Sequence, residues 1–374
     1  MRQVIDALDQ LGYEVDILTY PVGRDLPGRK GRLIRSSNPF RFTHVPVGFS
    51  FRKLLLDMTL FPELRRRIRS GQYDAVHAVE EAAFPAAFWG SRNGVPVIYD
   101  MHSSMAEQMS DLPPFRNPLT RSMFRRMERW LLERASRVIS SAGLASRVRE
   151  MAPRARVKEW EFSSELPPAD QNTIDQLRSS LELEPHHKVV LYSGTFERYQ
   201  GLRLLLNAVP HVLAQEPDAV FVLVGVDGEH AAARIEKIAH MIPGHHLRLV
   251  PRQPREKISS FFALADVLVS PRVYGGNLPL KVFDYLAAGR PIVATDIPSH
   301  RSVLTEERAI LVPPEPEALG RAIIRVLQHP EIAQRMATAG KEFAISRLAW
   351  SRFVGSVAEL YQSIEPAHPE PRSP

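Results

Sequence analysis

Apolar residues recur along this chain in two rhythms. Val4, Ile5, Leu8 and Leu11 keep helical spacing, so the first eleven residues predict an amphipathic helix. YEVDILT (13–19) then alternates, as a strand does. Residues 21–53 are rich in Pro, Gly and Arg and predict a long loop or a pair of short strands. A helical pattern over 54–71 is interrupted or restarted at Pro62. AVHA, within 73–81, reads as a strand running into a helix with Glu80 and Glu81 at its start, and VPVIYDMHSS (95–104) as a strand ending at His102. A long Arg-rich helix over Asn117–Ser136 and a short strand, RVISSA, follow. The alternation lapses over 159–187, where Pro and Ser accumulate. It then returns as KVVLYS, FVLVG, LRLV, VLVS, PIVAT and AILV, with helices between. Such alternation predicts parallel sheets covered on both faces. LAWSRFVGSVAELYQSI (348–364) is helical in period, and no internal repeat is evident.

The most informative stretch is 266–300. VLVS is stopped by Pro271, a loop with Gly275, Gly276 and Asn277 follows, and Pro279 opens a helix that Gly289 ends. PIVAT is the next strand. A strand, a glycine-bearing loop and a helix N-terminus in series offer free backbone N–H groups to a phosphate. Arg272 and Lys281 flank that place, and Asp284, one turn after Lys281, can accept hydrogen bonds from ribose hydroxyls. An ordinary βαβ unit with a solvated Lys and Asp has the same features. GTFERYQG (194–201), where Gly194 and Thr195 offer backbone N–H groups, is likewise a strand–helix loop that needs no ligand.

PLKVFDYLAAGRPIVATD resembles the donor-site signature of family 4 glycosyltransferases (glycosyl transferases group 1), in the variant with P-x-K before the acidic residue. VVLYSGTFERYQGLRLLLNAV is similar to the first strand and loop of that family's donor domain. FVLVGVDGE, ALADVLVSP and LVPPEPEALGRAI occur in the family's order. The resemblance implies an α/β chain of GT-B fold, with two Rossmann-like, doubly wound parallel-sheet domains facing a cleft. The first strand and its glycine-rich loop are missing from the N-terminal domain, as expected from a start codon placed too far downstream or, second, from a truncated molecule. Residues 1–163 would be the acceptor domain, 164–185 the connection, 186–345 the nucleotide-sugar domain, 346–365 a helix crossing back to the first domain, and 366–374 a disordered tail.

The function implied is retaining transfer of a sugar from a nucleoside-diphosphate donor to a glycan or lipid-linked acceptor. A nucleotide-sugar epimerase and a degenerate nucleotide-sugar-binding protein are the alternatives. By the same resemblance, Gly194, Thr195, Gln200, Arg272, Gly276, Asn277, Lys281 and Asp284 hold the donor, and His102 and Lys281 are the catalytic candidates. His77 and Glu80 lie on the acceptor side. The family's Arg and Lys in the diphosphate loop are Thr195 and Gln200 here, so Arg272 and Lys281 are expected to replace those cations. The first donor-loop glutamate is absent around Tyr274–Asn277, and Asp284 stands for the second, one methylene shorter. No metal and no cofactor are expected. His77 reads first as a structural histidine, His102 also suits a strand end satisfied by backbone, and Glu80 with Glu81 suits a helix start.

Composition narrows the setting. The 374 residues, 44% hydrophobic and 24% charged, suit a two-domain globular chain. No apolar run reaches the roughly 18–20 residues of a membrane span. The N-terminal stretch has an amphipathic pattern with acids in place of the apolar core of a signal peptide, and the lack of cysteine excludes disulfides and thiolate chemistry. Cytoplasm is the expected compartment. Residues 1–170 hold 26 Lys and Arg against 20 Asp and Glu, whereas 171–374 hold 22 of each, so the net +6 resides in the first half. With no nucleic-acid motif present, that half, with Arg65–Arg69, Arg121–Arg129 and the phenylalanines of 40–61, is expected to meet an anionic membrane at its inner face.

Overall fold

The computed structural model describes residues 1–23, 25, 30–45, 50–110, 115, 117–160, 162–226, 242–274 and 279–364. The chain divides into two compact units, Met1–Glu161 with Phe353–Pro374, and Phe162–Arg352. Gly276, Asn277 and the tail expected to be disordered lie outside the described residues.

The first unit runs α1 (Arg2–Gln10), β1 (Ile17–Thr19), β2 (Leu33–Arg35), α2 (Phe51–Arg69), β3 (Val76–Val79), α3 (Ala83–Asn93) and β4 (Val97–Met101). It continues through α4 (Met105–Ser110), α5 (Pro118–Arg134), β5 (Arg137–Ser140), α6 (Ala142–Met151) and β6 (Val157–Glu159). Strands β3 to β6 pair in parallel in the order of the sequence. Right-handed crossovers therefore put α3, α5 and α6 on one face. There Ala83, Ala87, Leu131, Leu132 and Leu144 pack on Tyr99 and Val138.

Two elements differ from expectation. The strand expected over 13–19 shrinks to β1, because the Asp16 carboxylate bonds instead to the backbone N–H of Arg32 (2.8 Å) and to the Tyr73 hydroxyl (2.7 Å). Among the described residues β1 pairs only with β2, as a parallel ribbon. Helix α2 starts at Phe51, where Ser50 Oγ accepts the Lys53 N–H (3.1 Å), and it runs unbroken through Pro62. Proline removes the donor for the Met58 carbonyl, but Met58 and Pro62 share the exposed side of the helix, where solvent replaces that bond.

The second unit contains α7 (Gln171–Ser180), β7 (Lys188–Ser193), α8 (Leu202–Leu213), β8 (Ala219–Val226), β9 (Leu247–Pro251), α9 (Arg255–Leu264) and β10 (Val267–Ser270). It ends with α10 (Leu280–Ala288), β11 (Ile292–Thr295), α11 (Pro298–Arg301), β12 (Ile310–Val312), α12 (Pro316–Gln328) and α13 (Pro330–Arg347). The stretch 164–185 thus holds a helix, α7, capped by the Asp170 side chain, and lies within this unit. The six strands are parallel in the order β12-β11-β10-β7-β8-β9. Alternate residues of β7 serve opposite faces. Val190 and Tyr192 join Leu205, Val209 and Ile323 in one layer, while Val189 and Leu191 join Phe262 and Leu286 in the other. The chain builds outward from β7 to β9 and then restarts at β10 on the other side of β7. The crevice beyond the carboxyl ends of β7 and β10 is therefore a topological switch point.

The last helix, α14 (Trp350–Gln362), joins the first unit from Phe353 onward. Phe353 meets Trp160 with ring centroids 5.3 Å apart, and Lys158 pairs with Glu359 at 2.9 Å. Among the described residues no helix is long and apolar enough to cross a membrane.

Candidate functional site

In the second unit the ends of β7 and β10 are drawn together by backbone that tolerates no side chain. At Gly201, φ +73°, a Cβ would lie 1.7 Å from the Pro271 carbonyl oxygen. The Val273 N–H donates to the Tyr199 carbonyl at 3.0 Å. Tyr285, buried on α10, accepts the Ser193 N–H at 2.8 Å and so fixes the end of β7. At Gly194 a Cβ would lie 3.2 Å from Lys281 Nζ, so glycine lets that amine approach the loop backbone.

Lys281 extends from the first turn of α10, and its Nζ lies 4.1 Å from the centre of the Tyr192 ring. The amine is buried and has no hydrogen-bond partner among the described residues. Burial, and then the charge of Arg272, lowers its pKa to about 7. Arg272 is itself buried, with its guanidinium carbon 5.0 Å from the centre of the Tyr199 ring and its Nε donating to the Tyr274 carbonyl at 3.0 Å. Burial lowers its pKa as well, but a guanidinium stays charged. Two cations thus lie against two tyrosine rings, and among the described residues no carboxylate pairs with either.

Thr195 is exposed, and its carbonyl accepts the Tyr192 hydroxyl at 2.6 Å. Gln200 Oε1 is buried without a partner among the described residues. Asp284 is already engaged within the unit: its Oδ1 accepts from Ser164 Oγ (2.5 Å) and Arg255 Nη2 (3.3 Å). Sequence reasoning missed His300. It is fully buried, with Nδ1–H donating to the Thr295 carbonyl (2.7 Å) and Nε2 accepting from Ser270 Oγ (2.9 Å). Burial lowers its pKa to about 4, so it is neutral and held in one tautomer. Thr295 Oγ1 donates to the Arg272 carbonyl, so these groups hold the backbone that carries the buried guanidinium. The available signal was Ser270 and Thr295, polar residues closing two apolar strands.

In the first unit His102 follows β4, and its Nε2 lies 3.1 Å from Asp100 Oδ1. His77, on the neighbouring β3, makes a longer contact to Asp100 Oδ2 (3.5 Å) through Nε2, and its Nδ1 lies 2.7 Å from Tyr361 Oη. Burial works against the Asp100 charge, but bonds from His102 and His77 hold its pKa below the usual carboxylate range. The same bond raises His102, outweighing burial. Asp100 was legible in YDMH, since residues two apart on a strand share a face.

Glu80 does not start the helix. It has φ +49°, belongs to a 3-10 turn before α3, and accepts from Ser103 Oγ at 3.2 Å. Glu81 pairs with Lys53 at 2.5 Å and lies 3.1 Å from the Tyr20 hydroxyl, which donates to Asp57 at 2.6 Å. Burial raises Asp57 to about 6.

Residues 173–343 match the family model described as glycosyl transferases group 1, and residues 1–158 match a glycosyl transferase 4-like domain. The chain belongs to the family 4 glycosyltransferases. A phosphatidyl-myo-inositol mannosyltransferase of Mycobacterium leprae is 25% identical over 335 residues, spanning 86% of this chain and 81% of the relative. Among solved structures, sucrose-phosphate synthase from Thermosynechococcus elongatus superposes with TM-score 0.77 at 22% identity, covering 96% of this chain and 91% of the other. Anabaena HepE in complex with UDP-glucose gives TM-score 0.67 at 17% identity, over 86% and 85%. The fold is GT-B, and the protein is a hexosyltransferase-type enzyme. The transferase carries Gly194, Thr195, Gln200, Arg272, Lys281 and Asp284 in its second unit, and His77, Glu80 and His102 in its first.

Proposed function

We propose that this glycosyltransferase takes its sugar from a nucleoside-diphosphate donor and passes it to a glycan or lipid-linked acceptor with retention of configuration. The observation that carries this reading is the buried, unpartnered amine of Lys281 against Gly194, with buried Arg272 beside it, at the switch point of a parallel sheet. Two desolvated cations without a carboxylate call for an anion, and a diphosphate leaving group supplies one. They would offset the charge that develops on it as the glycosidic bond breaks, which is the office of a metal in other transferases. Lys281 and Arg272 thus take over from the uncharged Thr195 and Gln200. Asp284 Oδ2 faces no protein donor among the described residues and is assigned to ribose hydroxyls. His102, whose pKa is raised by its bond to Asp100, is assigned to a sugar hydroxyl or phosphate oxygen. The UDP-glucose bound by the structural relative and the phosphatidylinositol named in the relative's activity point the same way.

Calorimetry with UDP, GDP and the bare nucleosides tests the donor side. Diphosphates should bind at least about tenfold tighter than nucleosides, as expected for charge-assisted bonds of roughly 1.5–3 kcal/mol. Equal affinities would remove the diphosphate reading. Incubation with labelled nucleotide sugars and lipid extracts, followed by NMR of the product's anomeric proton, tests transfer and retention. Activity should persist in EDTA.

A further inference from the structure

Helix α5 carries two apolar stripes. Phe124, Leu131 and Leu132 are buried toward the sheet. Leu119, Met123, Met127 and Trp130, at steps of four, four and three residues, form a second line along another side, and they are 81%, 47%, 41% and 38% exposed. Packing within the unit accounts only for the first stripe. Helix α2 repeats the arrangement: Leu56, Leu60 and Ile68 point inward, while Phe51, Leu54 and Met58 are 72%, 50% and 66% exposed. Helix α3 packs against both α2 and α5 and adds the exposed Phe88. Eight of the thirteen large apolar side chains exposed among the described residues lie on these three helices, so this is a patch and not scatter.

The charges around the patch have one sign. Arg126 is exposed beside the α5 stripe, and Arg125 and Arg121 are exposed farther round the helix. On α2 the outer line turns basic at Arg65 and Arg69. A groove of about 820 Å³ there has Met58, Phe61 and Trp89 among its walls and Arg65, Arg66 and Arg69 at its rim. Acidic groups on these helices are already used. Glu63 is held by Arg66 and Arg67, Glu133 by Arg129, and Glu128 is buried under Ser104 and the Met105 N–H.

We propose that the outer face of α2, α3 and α5 docks on an anionic lipid bilayer. The apolar side chains enter the boundary between headgroups and acyl chains, and the arginines lie at the phosphates. A surface that complements this one must be apolar and acidic across three adjacent helices, which is the chemistry of a bilayer. The attachment is therefore partly apolar, and most of its apolar side chains lie on α2, α3 and α5 apart from the phenylalanines of 40–61 read from the sequence. It concerns a surface and not the transfer chemistry, so either can fail alone.

The test is co-sedimentation of the full chain with vesicles of phosphatidylcholine, with and without phosphatidylglycerol. It is run at low salt and at about 1 M salt, where electrostatic reach falls to roughly 3 Å. Anionic vesicles should capture the protein at low salt, and part of that binding should survive at high salt. Met123→Glu with Met127→Glu should lower the partition coefficient at least about tenfold at both salts, since it removes two inserted side chains. Arg125→Ala with Arg126→Ala should lose only the salt-sensitive part, and Ile345→Glu, at an exposed apolar site of the second unit, should change nothing. Wild-type binding by the double glutamate variant would overturn the proposal. So would a wild-type protein that ignores vesicles and instead self-associates through Met123 and Met127. UDP calorimetry on the same samples separates the readings: nucleotide binding without vesicle binding removes the surface and leaves the donor site.

Discussion

Tyr361 Oη, on the last helix, lies 2.7 Å from Nδ1 of His77 on β3. Burial raises the pKa of this phenol, so it stays protonated and donates. The proton of His77 then sits on Nε2, on the side of Asp100, which also holds His102. A residue far along the chain thereby orients the catalytic candidate through two intermediaries. Tyr361→Phe keeps the ring and removes only the hydroxyl. Turnover should fall about fivefold, as for one lost hydrogen bond of about 1 kcal/mol, with nucleotide affinity unchanged. The imidazole ¹⁵N shifts of His77 should show the other tautomer appearing. A lower melting temperature with both readouts unmoved would reduce Tyr361 to a packing residue.

Asp100→Asn tests the next link. The carboxylate raises the pKa of His102, and Glu80 contributes in the same direction. Removing the Asp100 charge must therefore lower it, so NMR titration should find His102 losing its proton at lower pH in the variant. An activity limb that depends on charged His102 should move to lower pH with it.

Lys281 predicts a pH dependence of binding. With its pKa near 7 in the free protein, the amine is largely neutral above that pH. A bound diphosphate favours the ammonium, so binding takes up a proton there. Affinity for UDP or GDP should weaken as pH rises above about 7, by up to about tenfold per unit, since one unit corresponds to roughly 1.4 kcal/mol. Calorimetry in buffers of different ionisation enthalpy should register the uptake. Lys281→Met should abolish both effects and leave nucleoside binding intact.

At Arg272 charge alone is insufficient, because the planar guanidinium lies against Tyr199 while donating to the Tyr274 carbonyl. Arg272→Lys should therefore cost diphosphate affinity nearly as much as Arg272→Ala, about 1.5–3 kcal/mol for a charge-assisted contact. Full rescue by lysine would show that only the charge matters.

Asp284→Ala should weaken nucleotide binding by about 1–3 kcal/mol, whereas Asp284→Glu should be tolerated. The Ser164 contact complicates this variant. Ser164→Ala is therefore the control: if it reproduces the entire loss, Asp284 serves the packing of its own unit and not the ribose.

The second unit was the more legible half because its strands are apolar runs buried on both faces and punctuated by Gly and Pro. VLVS, PIVAT and the helix between them fall where the pattern puts them, and Gly289 ends α10 with φ +61°. Local pattern failed where the deciding contact is distant. β1 is curtailed by Arg32 and Tyr73, and Pro62 passes through α2 because its side of the helix faces solvent. His300 itself carries no local signal, because its partners come from two different strand ends. The Arg-rich look of α5 concealed its second apolar stripe, since the basic and apolar lines run side by side.

Lys281 and Asp284 stand one turn apart on α10, and that helix is pinned at Tyr285 and closed at Gly289. Their Cβ atoms are therefore held at roughly the 5–6 Å separation of neighbours on a helix surface. In the proposed donor site this rigid pair, with the amine protonated beside the bound anion, works as a ruler. It selects ligands by the distance between an anionic group and a donor group, whatever is attached beyond them. On that reading, mutations in the flanking loops change which sugar is carried without disturbing the gauge that recognises its handle. Inserting or deleting a residue between 281 and 284 would rotate one charge out of line and is the change this protein should tolerate least.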